Sequence, residues 1–421
     1  MGNNKSVIIG FICAFCVITF NFAEAAYAQQ GGESSTTSSP NPALFSQSTH
    51  NLDTCQTNEL RFNLRNINFF RDNEYQGNLT NGYTLPGFRL LPSISYQPLK
   101  ILNLEVGAYM LHYWGANKYP NLNYSDMPSW KGEQTQSGFH VLPFLRAQVA
   151  LTPNFQIVIG SIYGSVHHGL IEPLYNPETA LSGDPETGLQ FLWDTRWFKF
   201  DTWVNWESFI FDGDYHQESF TYGLSVRFTP NQRLYFPLQI LAQHRGGEIN
   251  TEAEEREVKT WVNGGVGVGY NFSTGNRLIP SVDLLAMAAF YKQQTSDTLP
   301  FDEGYGIYAK ASAKLWRFNI SAAYWRAHDF ITIHGNPLYG AMSIVEDDYT
   351  LDNPSLFKLQ ADYSQPIGKG LIFGFNAELF NNFACDSYSE ASGNMRESNE
   401  LSIAFEVYLR INFSFLLKKF K

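Results

Sequence analysis

Along most of this chain, apolar and polar side chains alternate one residue at a time. In the last long stretch Leu401, Ile403, Phe405, Val407, Leu409, Ile411, Phe413 and Phe415 share one face. Glu400, Ser402, Ala404, Glu406, Tyr408, Arg410, Asn412 and Ser414 share the other. A period of two marks a β-strand whose faces meet different surroundings. Sixteen such segments follow one another, roughly at 59–71, 85–97, 101–114, 138–151, 155–167, 187–197, 200–210, 217–228, 233–245, 259–272, 277–291, 304–315, 318–327, 355–365, 370–381 and 400–415. One miscounted hairpin would make fourteen or eighteen. Many segments run well past the ~5–6 residues of a soluble strand.

The connections alternate too. Long polar ones (72–84, 115–137, 168–186, 246–258, 292–303, 328–354, 382–399, with 211–216 a short member) alternate with tight turns such as QPLK at Gln97–Lys100 and PIGK at Pro366–Lys369. Long strands, an even count and one side of short turns predict an all-β fold, a closed antiparallel transmembrane β-barrel over 59–415. The sheet must close, because hydrocarbon offers nothing to an unpaired edge. The segment LLKKFK breaks the alternation, which makes 416–421 a C-terminal tail.

Two stretches repeat 51 residues apart, GFRLLPSISYQ at Gly87–Gln97 and GFHVLPFLRAQ at Gly138–Gln148. Their oily faces (Phe88, Leu90, Pro92, Ile94, Tyr96; Phe139, Val141, Pro143, Leu145, Ala147) are expected to meet lipid. Arg89, Ser93, Ser95, Gln97, Arg146 and Gln148 face inward, interrupted by Leu91, Leu142 and Phe144. Proline removes a ladder donor, so bulges are expected near Pro92 and Pro143, and again at Pro280.

Composition adds the compartment. Lys5, the 14-residue apolar run Val7–Phe20 and the small-x-small Ala26-Tyr27-Ala28 form a signal peptide over 1–28, cleaved before Gln29. Neither Cys13 nor Cys16 follows the small residues of a lipoprotein signal. Residues 29–58, rich in Ser, Thr, Gly, Pro and Asn, read as a flexible leader. Cys55 and Cys385 form one bond or none. A formal net charge of −11 argues against a nucleic-acid partner.

The pattern resembles the Gram-negative outer-membrane porins and related sixteen-strand barrels. The resemblance is architectural, covers about 59–415 and carries no single family signature. It implies a place in the outer membrane, periplasmic short turns and long loops outside. It implies outer-membrane lipid, lipopolysaccharide and small polar solutes as partners, with a homo-oligomer left open and no cofactor. Trp114 and Trp325 would lie at the outer interface, and Trp197 and Trp316 at the inner one. In such porins the third outer loop folds into the pore. Here that position is 168–186. Leu170, Ile171, Leu174, Tyr175 and Leu181 would pack inward, and Glu172, Glu178, Asp184 and Glu186 would face Arg61, Arg89 and Arg146 across a constriction.

Parity names the lumen candidates. The basic ones are Arg61, Arg65, Arg89, Arg146, Arg196, Arg227, Lys310, Lys314, Lys358 and Arg410. The acidic ones are Glu105, Asp194, Glu207, Asp283, Asp362, Glu378 and Glu406. Charges on such a wall either set ion preference or pair and hydrate it. Eight of the nine histidines fall at outer strand ends or outer loops. They suit the headgroup zone. They also offer weak metal candidates (His168, His216, His244, His328) near Asp212, Asp214, Glu218, Glu248 and Asp329, or a hydrolytic His–Asp pair at the rim. No HExxH spacing supports a metal. GGVGVG at Gly264–Gly269 lies mid-strand with no helix after it, so its inward glycines read as room for a loop. The acidic run Thr251–Glu257 reads as a solvated loop. The leading expectation is a passive channel for small polar solutes or ions. An outer-membrane hydrolase with a rim histidine and a surface adhesin or assembly partner are the alternatives.

Overall fold

The computed structural model describes residues 51–114, 118–120, 135–137, 140–209, 217–246, 258–295, 297–346 and 348–421. The signal peptide, most of the leader, Gly138, Phe139, Asp212, Asp214, His216, Glu248 and the run 251–257 lie outside them. Sixteen strands close into one antiparallel barrel in simple chain order. They are β1 Glu59–Glu74, β2 Tyr83–Leu99, β3 Leu102–Tyr113, β4 His140–Thr152, β5 Phe155–Ser161, β6 Thr187–Asp194, β7 Phe198–Ser208, β8 Glu218–Phe228, β9 Leu234–Gly246, β10 Lys259–Ser273, β11 Ser281–Thr295, β12 Glu303–Leu315, β13 Phe318–His328, β14 Ser355–Gly368, β15 Leu371–Asn382 and β16 Glu400–Lys419. β16 closes on β1, with Lys419 opposite Glu59 and Ile403 opposite Glu74. The last strand therefore runs through most of the expected tail, and the Lys419 ammonium reaches Glu59 at 3.0 Å.

The period of two becomes two surfaces. Ile94, Val106, Val141, Leu145, Ile159, Leu238, Val266, Ile307, Leu359 and Ile403 are exposed on the outside, one strand after another. Among apolar tails such a belt costs nothing, and in water it would be an aggregation surface. Inward positions carry the buried polar groups, including Gln97, Gln148, Gln239, Asn263, Asn376 and Arg410. Cys55 and Cys385 are free thiols, one exposed and one buried.

Several local expectations change. β1 pairs through Pro92 and β3 through Pro143 with no register shift, Leu64 opposite Pro92 and Ala108 opposite Pro143, while the β2–β3 ladder skips Leu91 and Pro92 and resumes in the same register at Ser93 opposite Gly107. Gly107 lets β3 approach the Pro92 carbonyl closely, so the missing donor is tolerated without a bulge. Pro280 stands just before β11, where the ladder needs no donor. The inward glycines of β10 leave room for neighbouring wall side chains and not for a loop. A Cβ on Gly269 would sit in the Tyr235 ring, and one on Gly267 would strike Met287. Trp114, Trp197 and Trp316 are half exposed at strand ends, as a girdle requires. Trp325 instead points into the lumen, is 1 % exposed, and donates its indole N–H to the Tyr339 carbonyl at 2.9 Å.

Candidate functional site: the filled outer half of the lumen

Two long connections turn inward. The first, between β5 and β6, begins with a 3-10 turn at Ser165–His168 and ends with one helical turn at Thr179–Ser182. Its Ile171, Leu174, Ala180 and Leu181 are buried. The second joins β13 to β14. It was expected to be polar, yet Phe330, Ile331, Ile333, Leu338, Tyr339 and Ala341 are all nearly inaccessible. The loops bond to each other: Asn176 N–H to the His334 carbonyl at 2.8 Å, Asn336 N–H to the Glu172 carbonyl at 3.1 Å, and the Thr332 hydroxyl to the Pro173 carbonyl at 2.7 Å. Together with Trp261, Met287, Tyr291, Tyr308 and Trp325 of the wall they form one apolar core. Sixteen strands leave a wide interior, and here these two loops fill part of it.

Charge fixes the first loop to the wall. Glu172 takes Lys358 at 2.6 Å, Lys310 at 3.5 Å and the Tyr339 hydroxyl at 3.0 Å. Burial would raise this carboxyl, and the two ammonium groups outweigh it and hold it low. Glu178 takes Arg71 at 2.6 Å, Asn73 at 2.9 Å and the Tyr83 hydroxyl. Arg71 then reaches Glu378 at 2.6 Å and Glu406 at 3.5 Å, and Lys358 reaches Glu378 at 2.6 Å. The partners of Glu172 and Glu178 are therefore Arg71, Lys310 and Lys358, in place of the expected Arg61, Arg89 and Arg146, while Asp184 and Glu186 line a cavity that Arg89 and Arg146 also line. Arg89 touches the loop through the Ala180 carbonyl. Arg61 stays at the short-turn end with Glu59 at 2.7 Å.

His168 is the second anchor. Its Nδ1 meets Asp201 at 2.8 Å and its Nε2 meets Glu186 at 3.0 Å. Tyr175 donates its hydroxyl to Glu186 at 2.7 Å, and the Ser165 N–H does the same at 2.7 Å. Burial would lower the imidazole, but the two carboxylates outweigh it and hold it at about 9. Glu186 falls to about 2, where burial is again outweighed by His168. A cation locked between two anions is a structural clamp, not a base.

The remaining candidates separate. Asp184 meets His140 Nε2 at 2.7 Å, where the first loop crosses the outer end of β4. Glu105 pairs with Arg65 and lies 3.9 Å from Arg146. Glu207 accepts from Ser219 at 2.8 Å, Thr221, and Gln243 at 3.2 Å. Asp283 accepts the Tyr235 hydroxyl at 2.7 Å, and Arg227 stacks on that ring at 3.6 Å. Asp194 ends β6, exposed and 3.3 Å from Lys199. Arg196 is not on the wall: β6 ends two residues earlier, and Arg196 lies in the turn beside Trp197.

The metal candidates do not converge. His168 is inside the lumen, while His244 and His328 are on the outer face beside Phe220 and Tyr305. His244 meets Thr260 at 2.9 Å, and His328 meets Asn353 at 2.9 Å and Asp329 at 3.5 Å. Among the described residues no three His, Cys, Asp or Glu side chains are placed to hold a metal ion. Sequence reasoning missed Arg71, Asp201, Trp203 and the second inward loop. The loop had a signal, since FITIHGNPLYGAMSI is too apolar for a solvated connection.

A model of the family described as lipid A 3'-O-deacylase-type matches residues 52–420. None of the curated proteins matches the sequence. Among solved structures the barrel is similar to Acinetobacter baumannii OccAB2, with TM-score 0.48 and 11% identity over 85% of this chain and 99% of that one. It is also similar to OprD of Pseudomonas aeruginosa, with TM-score 0.45 and 8% identity over 85% and 95%.

Proposed function

The chain belongs to the lipid A 3'-O-deacylase-type family, and from that premise we propose an outer-membrane hydrolase that removes an O-linked acyl chain from lipid A. The observation that carries this reading is the His140–Asp184 pair, 2.7 Å apart at the outer mouth of the lumen. A carboxylate at Nε2 selects the tautomer in which Nδ1 is the basic nitrogen. Burial pushes the Asp184 carboxyl up, and the His140 ring works against that rise. The next residue, Val141, faces lipid, so the pair lies one residue from the surface that meets acyl chains.

In the reaction, Nδ1 of His140 takes a proton from water as the water oxygen adds to the ester carbonyl. The tetrahedral intermediate collapses, the sugar oxygen leaves, and His140 returns the proton to it. A fatty acid and a free hydroxyl result, with no other reactant consumed. The partner is then lipopolysaccharide itself. The test is mass spectrometry of lipid A from cells producing the protein or its His140→Ala variant. Loss of one acyl chain with the first and not the second supports the reading. Unmodified lipid A in both, with folded protein in the membrane, overturns it.

The second reading is passive passage of small polar solutes. Buried polar wall groups such as Gln97, Gln148 and Gln156 favour it, because a lining of this kind suits water and polar solutes. Liposome swelling with sugars of graded size separates the two readings.

A further inference from the structure

The lipid-facing side of the wall is grooved over β11, β12 and β13. Ala286 stands beside Ala309, and Ala311 beside Ala322, on adjacent strands. Tyr270 borders these alanines on one side and Tyr324 on the other, and the groove between measures about 480 Å³. We propose that this groove holds an acyl chain of an intact lipid A molecule, and that Arg326 at its outer end binds a phosphate of the same molecule. The site is distinct from the one proposed for hydrolysis. β12 and β4, which carries His140, are eight strands apart either way round the sixteen-strand barrel. The inference does not rest on the hydrolase reading.

The first argument is shape. The groove opens onto hydrocarbon, so what fills it is a hydrocarbon chain. A chain laid along the alanines touches the floor and both walls, where a chain on a smooth belt touches one surface, and contacts of this kind add up.

The second argument is charge. Arg326 is exposed on the same face as Tyr324, two residues farther toward the long-loop end, or about 7 Å along the strand. Its neighbours in register are Ile307 and Ser355, and neither neutralises it. The other cations nearby are engaged, Lys292 with Glu303 at 3.1 Å and His328 with Asp329 at 3.5 Å. Arg326 has no ion-pair or hydrogen-bond partner among the described residues. A lone cation facing lipid is stabilised by an anionic headgroup, and a guanidinium matches phosphate with two parallel N–H donors. Tyr305 and Tyr324, both exposed on this face, mark the headgroup level. With the long loops outside, the phosphate within reach there is that of lipid A.

The test is native mass spectrometry of the full refolded barrel in detergent, with His140→Ala in every sample so that no acyl chain is removed. Lipid A, lipid A stripped of its phosphates, and phosphatidylglycerol are added separately, and bound lipids per barrel are counted. Lipid A should be retained about tenfold better than its phosphate-free form. Arg326→Gln should erase that difference. Ala309→Leu with Ala311→Leu fills the groove from lipid-facing positions and should lower retention of both forms, while Leu145→Phe on the far wall changes nothing. Unfolding temperatures equal to that of the parent barrel show that the variants are folded. Undiminished retention of lipid A by Arg326→Gln or by the double leucine variant overturns the proposal. So does phosphatidylglycerol held as tightly as lipid A, or a pairing of two barrels that the leucines abolish.

Discussion

His168 lies flat on Trp203, the ring centroids 3.3 Å apart and the planes 5° from parallel. One comes from the inward loop and the other from β7, so this stack fastens the loop to the wall. The imidazole is held at about 9 by Glu186 and Asp201 against the opposing effect of burial. A charged ring over an indole adds cation–π attraction.

A pH dependence follows. The folded value of His168 exceeds the ordinary imidazole value of 6.5. Its contribution is therefore complete below pH 6.5 and is lost as pH rises through about 9. The full span is worth about 3 kcal/mol. His334 has the opposite sign. Burial lowers it to about 4, so its contribution holds above pH 6.5 and is lost as pH falls toward 4. Thermal unfolding of the barrel against pH should therefore peak near neutrality. His168→Gln should remove the alkaline fall and shrink the acid one, because Glu186 owes its low value to His168, leaving chiefly the part that comes from His334. An alkaline limb unchanged in that variant would assign it to other groups.

Glu172 is the tie whose loss should free the loop. Changing it to Gln leaves Lys358 beside Glu378 alone and strips Lys310 of its partner. Breaking one side of a buried pair costs about 3–5 kcal/mol. In planar bilayers the variant should show more frequent excursions to higher conductance. Deleting 172–184 should raise conductance further, because it removes both Glu172 and Glu178. Unchanged conductance in the deletion would mean that the second inward loop alone sets the passage.

How much of this the sequence reveals follows from what decides each feature. Strand parity is a property of the backbone, so Arg89, Arg146, Glu378, Glu406 and Arg410 face inward as alternation requires. Parity weakens where both faces carry small residues. In Ser321–His328, with Ala322, Ala323 and Ala327 on either side, nothing local says that Trp325 points inward. Its position is set by the hollow at Gly306 and by Tyr339. Loop contacts are long-range. Glu172 meets Lys358 across 186 residues of chain, and no local period records such a pairing. The first loop's burial was legible from its apolar residues and its place in the barrel, but its ionic partners were not. His140 and Asp184 are both visible as rim residues, yet only the fold selects that pair from among eight histidines and many acids.

The His140–Asp184 pair makes a graded prediction. His140→Ala should lower deacylation by about 10²–10⁴-fold, the range general-base catalysis supplies. Asp184→Asn keeps the shape but removes the charge that favours the imidazolium, so its loss should be smaller. In both variants the barrel should unfold at about the same temperature as the original protein. A large loss in Asp184→Asn with a mild one in His140→Ala would reverse the roles and point to the carboxylate as the base. Quantifying released fatty acid against time in outer-membrane preparations distinguishes these outcomes.

The last prediction concerns Gly223 on β8. A Cβ there would fall within the Trp203 ring, and any shift of that ring disturbs its stack with His168. Gly223→Ala should therefore push Trp203 off the histidine. The cost is about 1–3 kcal/mol for overpacking, plus whatever the His168 clamp loses with it. Gly275→Ala is the control. It sits in a tight turn at φ +68° with nothing within 4 Å of an added Cβ, so it tests backbone strain without a clash. If the clash is with Trp203, then Trp203→Leu should cost less in the Gly223→Ala background than in the original protein. The difference is a coupling energy between the two positions. Its absence in unfolding experiments would mean that Trp203 is free to tilt, and that the loop is held by Glu172 and Glu178 without help from the stack.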